Sequence, residues 1–239
     1  MKPKKLVLIL GIILFISGCS DFFMICSLNP FYLDKNVVLA PEMEGNWSAN
    51  SLRAKSDTTK KKEYTVWQLA DTVSAWKIKQ FISEQTVKTK RGKDSTVFKP
   101  QNFYVVKLMD KHPDSIQYQF MLVLFRIKGF LYADFSPYET QAIKNSTMAK
   151  ENYFTVHTLA RVTLQNKQFS VSWLGADYMK DMIEKKRVRI KYRYVPDAKR
   201  LLLTASSEEL TEMIERYADQ KRFIDWEDQP AMLKFNRIN

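Results

Sequence analysis

The sequence predicts a mainly β domain, an antiparallel barrel or sandwich, with two short helices in its C-terminal half. Three observations predict it. Eight or more short runs rich in β-branched and aromatic residues are separated by turn-forming residues, as in an antiparallel sheet. Clear helical periodicity comes only late, after residue 175. No period of 20 to 50 residues repeats, which argues against solenoids and propellers.

The elements follow in order. Tyr64–Leu69 alternates in part and Thr72–Lys79 more clearly. Phe103–Met109 and Tyr118–Ile127 are next, the second apolar enough for a strand buried on both faces. Lys128-Gly129 reads as a hairpin connection into Phe130–Phe135. Thr155–Val162, Phe169–Leu174 and Val188–Val195 complete the strands, with Asn166-Lys167 as a tight turn. The first helix, Ala176–Lys185, gathers Met179, Met182 and Ile183 on one face. The second opens at Ser206-Ser-Glu-Glu209, a capping box in which a hydroxyl and a carboxylate satisfy two orphan amide donors. Leu210, Met213, Ile214, Tyr217 and Ala218 then form an apolar stripe suited to docking on a sheet.

The N-terminus carries a different signal. A basic opening, Lys2 to Lys5, precedes Leu6–Ile16, an apolar run too short for a bilayer, which needs about 20 such residues. Ile16-Ser17-Gly18-Cys19 follows at once. This stretch resembles the lipobox of bacterial lipoproteins. The resemblance implies a signal peptide over 1–18, cleavage before Cys19, and diacylglycerol on the Cys19 sulfur. Multiple acylation suits the role, since one short acyl chain holds a membrane only marginally. Ser20, where an aspartate would favour inner-membrane retention in enterobacteria, leans the address toward the outer membrane. The implied division is 1–18 signal peptide, 19–36 lipidated tether and 37–239 a single β-rich domain. An uncleaved anchor over Leu6–Phe23 is the alternative, made poorer by Gly11, Gly18 and Asp21.

Two further stretches carry a resemblance. Val156-His157-Thr158, Val171–Leu174 and Leu202–Leu210, within Tyr153–Tyr217, are similar to a segment of an uncharacterised bacterial envelope lipoprotein family. Gly45-Asn46-Trp47 resembles the opening of lipocalin-like lipoprotein domains, where the glycine permits a close turn and the tryptophan plugs the barrel end. The resemblance implies a lipocalin-like β-domain in the cell envelope and brings no catalytic residue with it.

Chemistry is sparse. The formal net charge of +12 falls to +9 once the leader and its three lysines are removed, which favours anionic envelope components. An extracytoplasmic address sets nucleic acid aside. With Cys19 acylated, Cys26 is the one remaining thiol and is expected to be inert. His112 sits in a turn and His157 in a strand, without ligand spacing for zinc. Ser74-Ala-Trp-Lys77 matches S-x-x-K only by chance, because its alternation reads as strand and its partner motifs are missing. Gly-rich phosphate loops are absent, so no cofactor is expected. Glu208, Glu209, Glu212 and Glu215 suit the start of a helix better than an acid/base pair, and Asp225–Asp228 reads as a loop. Of the basic runs Lys60–Lys62, Lys88–Lys93 and Lys185–Arg193, the last is the most informative. As a strand it sets Arg189, Lys191 and Arg193 on one face, an anion-binding row, or else charges that deter edge pairing.

The expected function is a membrane-anchored lipoprotein whose β-domain binds a ligand or a protein partner; a structural scaffold is the alternative, and an enzyme is less expected. An enclosed apolar cavity would favour the ligand, and a filled core with exposed apolar surface would favour the scaffold.

Overall fold

The structure, a computed structural model, describes residues 24–52, 75–88, 94–109, 119–138, 155–195, 200–219 and 232–238. Its strands are β1 (Cys26–Ser27), β2 (Gly45–Leu52), β3 (Ala75–Lys88), β4 (Asp94–Met109), β5 (Gln119–Ile127), β6 (Phe130–Pro137), β7 (His157–Gln165), β8 (Gln168–Trp173), β9 (Tyr192–Val195), β10 (Arg200–Leu203) and β11 (Met232–Ile238). Its helices are α1 (Ala176–Glu184) and α2 (Ser207–Tyr217). From β2 to β8 each strand pairs antiparallel with the next, and β11 pairs with both β8 and β2. The result is a closed eight-stranded antiparallel barrel rather than a sandwich.

Period-two patterning builds the wall. Leu122 and Leu124 of β5, Leu131, Ala133 and Phe135 of β6, and Ala160 and Val162 of β7 belong to the interior cluster. Phe125, Ile127, Tyr132 and Leu159, on the alternate positions, belong to a second cluster outside the barrel. The tight turns obey their chemistry. Lys128 and Gly129 have φ of +49° and +81°, the double left-handed conformation of a type I′ hairpin, and Asn166 also turns at +49°.

One end of the barrel is sealed. Pro41–Met43 forms a 3₁₀ turn, the Ala40 amide donates to the Tyr104 hydroxyl at 2.8 Å, and buried Met43 lies over the interior. The Trp47 indole donates to the Met43 carbonyl at 2.9 Å, tying this turn to the start of β2. Gly45 has φ +142°, and a Cβ there would meet the Arg237 guanidinium at 3.1 Å.

At this sealed end the β3–β4 hairpin leaves the barrel. β4 meets β5 only from Tyr104 to Lys107, whereas β3 and β4 stay paired from Ile82↔Pro100 to Lys88↔Asp94. At about 3.3 Å per residue the two-stranded arm extends about 20 Å. A register shift between Gln80 and Ile82 marks its base. There Phe81 stacks on Phe103, and Gln101 donates to the Ser83 hydroxyl.

The second layer covers the outside of β5, β6 and β7. It consists of α1, α2, the small β1–β10–β9 extension and the N-terminal segment, packed through Ile25, Phe31, Leu203, Leu210 and Ile214. Residues 24–36, read from the sequence as a tether, therefore belong to the fold. Ile25 and Phe31 are fully buried, and β1 pairs with β7 and β10. Their partners lie more than a hundred residues away, beyond the reach of any local pattern.

The expected strand Val188–Val195 begins only at Tyr192. The left-handed Lys186 (φ +54°) and the Arg187 and Val188 amides, both bonded to the Met182 carbonyl, keep the chain curled against α1 until then. Cys19, Tyr64–Leu69, Ser74, His112, Lys60–Lys62 and Asp225–Asp228 lie outside the described residues.

Candidate functional site

The cationic residues singled out by sequence divide between two settings. Arg189 and Lys191 precede β9 and line a groove of about 380 Å³ beside α2, and Arg193 sits on β9 itself, outside that lining. They are thus not one row on one strand, because α1's curled exit breaks the alternation. The groove floor is apolar, with Val188, Met213 and Tyr217 buried. The Tyr217 hydroxyl donates to the Arg187 carbonyl and fixes the segment to α2.

Charge around the groove is mostly spoken for. Lys191 pairs with Glu209 at 2.9 Å, and Arg216 pairs with Glu212 one turn away. The Glu209 carboxyl lies below its usual range because Lys191 and the Ser206 amide both donate to it. Glu208 is lowered as well, chiefly by its own backbone amide. The capping box forms as expected, with Ser206 N donating to Glu209 at 2.9 Å and Glu209 N donating to the Ser206 hydroxyl at 3.3 Å. Among the described residues Arg189 and Arg193 make no ion pair.

Inside the barrel aromatic rings pack against one another. Trp76 lies 4.4 Å from Phe235 between ring centroids, Trp47 4.7 Å from Phe169, and Phe169 stacks on Phe235 at 4.5 Å. Phe135 and Trp173 extend the cluster, and Arg237 lies over the Trp47 ring. Among the described residues one polar atom within it is unmatched: the buried Trp76 Nε1–H finds no acceptor there.

His157, a strand histidine in the sequence, is buried and bonded through Nδ1 to Asp134 at 2.7 Å. Asp134 also accepts the Phe31 amide at 2.8 Å. Both lie on the outer wall under the N-terminal segment, so the pair pins that segment to the barrel. Sequence inspection missed this carboxyl partner, which stands 23 residues away. Cys26 is buried and desolvation raises its thiol pKa, which suits a packed residue. Among the described residues no three His, Cys, Asp or Glu side chains gather to hold a metal, and no helix is long and apolar enough to cross a membrane.

Exposed apolar side chains concentrate on two elements with an edge unpaired among the described residues. Of nine large ones among the described residues, Ile82, Val97 and Phe98 lie on the arm and Tyr192, Tyr194 and Val195 on β9. Phe98 is the most open, at 68% exposure. Fold and surface together define an eight-stranded antiparallel barrel with a projecting arm and a cationic, apolar-floored outer groove. No family model, no curated protein and no solved structure matches this chain.

Proposed function

We propose that this protein is a bacterial envelope lipoprotein, anchored through acylated Cys19, whose barrel is a platform for binding a protein partner. The observation that carries the binding is the gathering, on the arm and β9, of six of the nine exposed large apolar residues among those described. Unpaired strand edges beside apolar side chains are the usual substrate for protein–protein contact. The cluster of aromatic rings inside the barrel supports a partner outside over a large ligand within. The layout supports the anchor as well. Met24 packs beside Gly175, at the end of the barrel opposite the arm. Four residues lie between it and Cys19, at most about 18 Å of chain, so an anchored barrel stands close to the membrane with its arm turned away.

Metabolic palmitate labelling of wild type and Cys19→Ala tests the anchor: label on a mature chain starting at Cys19, and none on the variant, is expected. A photo-crosslinking residue at Phe98 or Tyr194 in living cells tests the platform, with exposed Thr163 on the barrel wall as control. Discrete adducts at the first two positions and none at the third are expected. An intact, normally abundant chain without adducts at either would end the reading.

A second reading, a small hydrogen-bond acceptor held inside the barrel, is favoured by the orphan Trp76 Nε1–H. It predicts a tryptophan fluorescence change when acceptor-bearing apolar molecules are titrated into the protein.

A further inference from the structure

We propose that β9 and the groove beside it take an extended acidic peptide, added to the sheet as a further strand. The proposal rests on the partner-binding reading and names the chemistry of one partner. β9 is the last strand in the order β7–β1–β10–β9, and among the described residues none pairs with its outer side. Its outward N–H and C=O groups are therefore open to an incoming strand, whose backbone bonds would supply affinity and whose alternate side chains would supply specificity.

Charge selects which strand that is. Arg193 lies on the edge and Arg189 just before it, neither in an ion pair among the described residues. A second copy of β9 would bring guanidinium groups toward guanidinium groups, and like charges across a strand pair are destabilising. The same residues that repel self-pairing attract a strand bearing carboxylates. The period fits too: Tyr192 and Tyr194, both about half exposed, alternate with Arg193. A peptide alternating acidic and apolar residues thus meets rings on one face and a guanidinium on the other. Its apolar positions can continue onto the floor formed by Val188 and Met213. A compact anion such as free phosphate finds no convergent set of cations, because Lys191 and Arg216 are already held by Glu209 and Glu212.

The test uses the full chain purified in detergent from a bacterial host and three labelled probes: a peptide alternating Glu and Val, its Lys–Val counterpart, and the Glu–Val peptide N-methylated along one edge. In fluorescence anisotropy the Glu–Val peptide binds, while the Lys–Val and N-methylated peptides bind at least about tenfold more weakly. Amide exchange slows within Tyr192–Val195 on binding. Arg189→Glu with Arg193→Glu, both at exposed positions, inverts the preference between acidic and basic probes, with far-UV circular dichroism confirming the fold. Equal binding of Glu–Val and Lys–Val, indifference to N-methylation, or no binding of the acidic probe would each overturn the proposal. If crosslinks at Phe98 or Tyr194 persist in that case, the platform stands and only the acidic strand falls; if they too are missing, the platform falls.

Discussion

Asp134→Ala is the most informative single perturbation of the fold. Asp134 is 1% exposed, and its carboxyl group accepts from the Phe31 amide at 2.8 Å and from His157 Nδ1 at 2.7 Å. Removing it strands two buried donors, each costing about 1–3 kcal/mol. The sum, about 4 kcal/mol at mid-range, is a large share of a stability of about 5–15 kcal/mol. For a chain of this size about 2–4 °C of melting temperature goes with each kcal/mol, so Tm falls by about 8–16 °C. Urea unfolding followed by tryptophan fluorescence reads the loss, and hydrogen exchange locates it in residues 25–36 first, because that segment loses its clamp. Asp134→Asn keeps an oxygen for one donor and loses about half as much. An alanine variant melting within about 2 °C of the parent, or equal losses for alanine and asparagine, would refute the account of a shared buried acceptor.

Other outcomes follow from the same geometry. Ser206→Ala removes one arm of the capping box and costs about 1 kcal/mol in urea unfolding. Gly129→Ala meets no neighbouring atom, so its cost of about 1–2 kcal/mol is purely that of a left-handed backbone, and Gly129→Asn loses less. Cys26 stays unreactive toward a disulfide reagent until urea unfolds the chain, because the thiol is buried with a raised pKa. Burial pushes Tyr32 and Tyr132 up to about 12, so ultraviolet titration leaves them neutral well above the ordinary phenol range of about 10. With the folded value above the unfolded one, their contribution to stability is complete below about pH 10 and is lost as pH rises toward about 12.

How much was legible in the sequence depends on whether the cause is local. The runs around β5, β6 and β8 announce themselves through residue type, and the Lys128-Gly129 turn joins its strands two residues apart. The capping box needs only four consecutive residues, and all of its predicted bonds form. Val188–Lys191 defeated the same reasoning: alternation there is real, but the carbonyl at Met182 captures the chain first. The expected cationic row broke with it, leaving Arg189 and Lys191 beside the groove and Arg193 alone on the edge.

The sequence by itself determined the class, a mainly β chain with two late amphipathic helices, and the expectation of an N-terminal anchor at Cys19. These rest on periodicity and on motifs read over a few neighbouring residues. Only the tertiary structure decided that the sheet closes into a barrel, that aromatic rings gather inside it, that Asp134 meets His157, and that residues 24–36 pack into the layer over its outer wall. Each joins partners separated by tens to hundreds of residues, and which of them meet is settled by packing and by the need to satisfy buried polar groups.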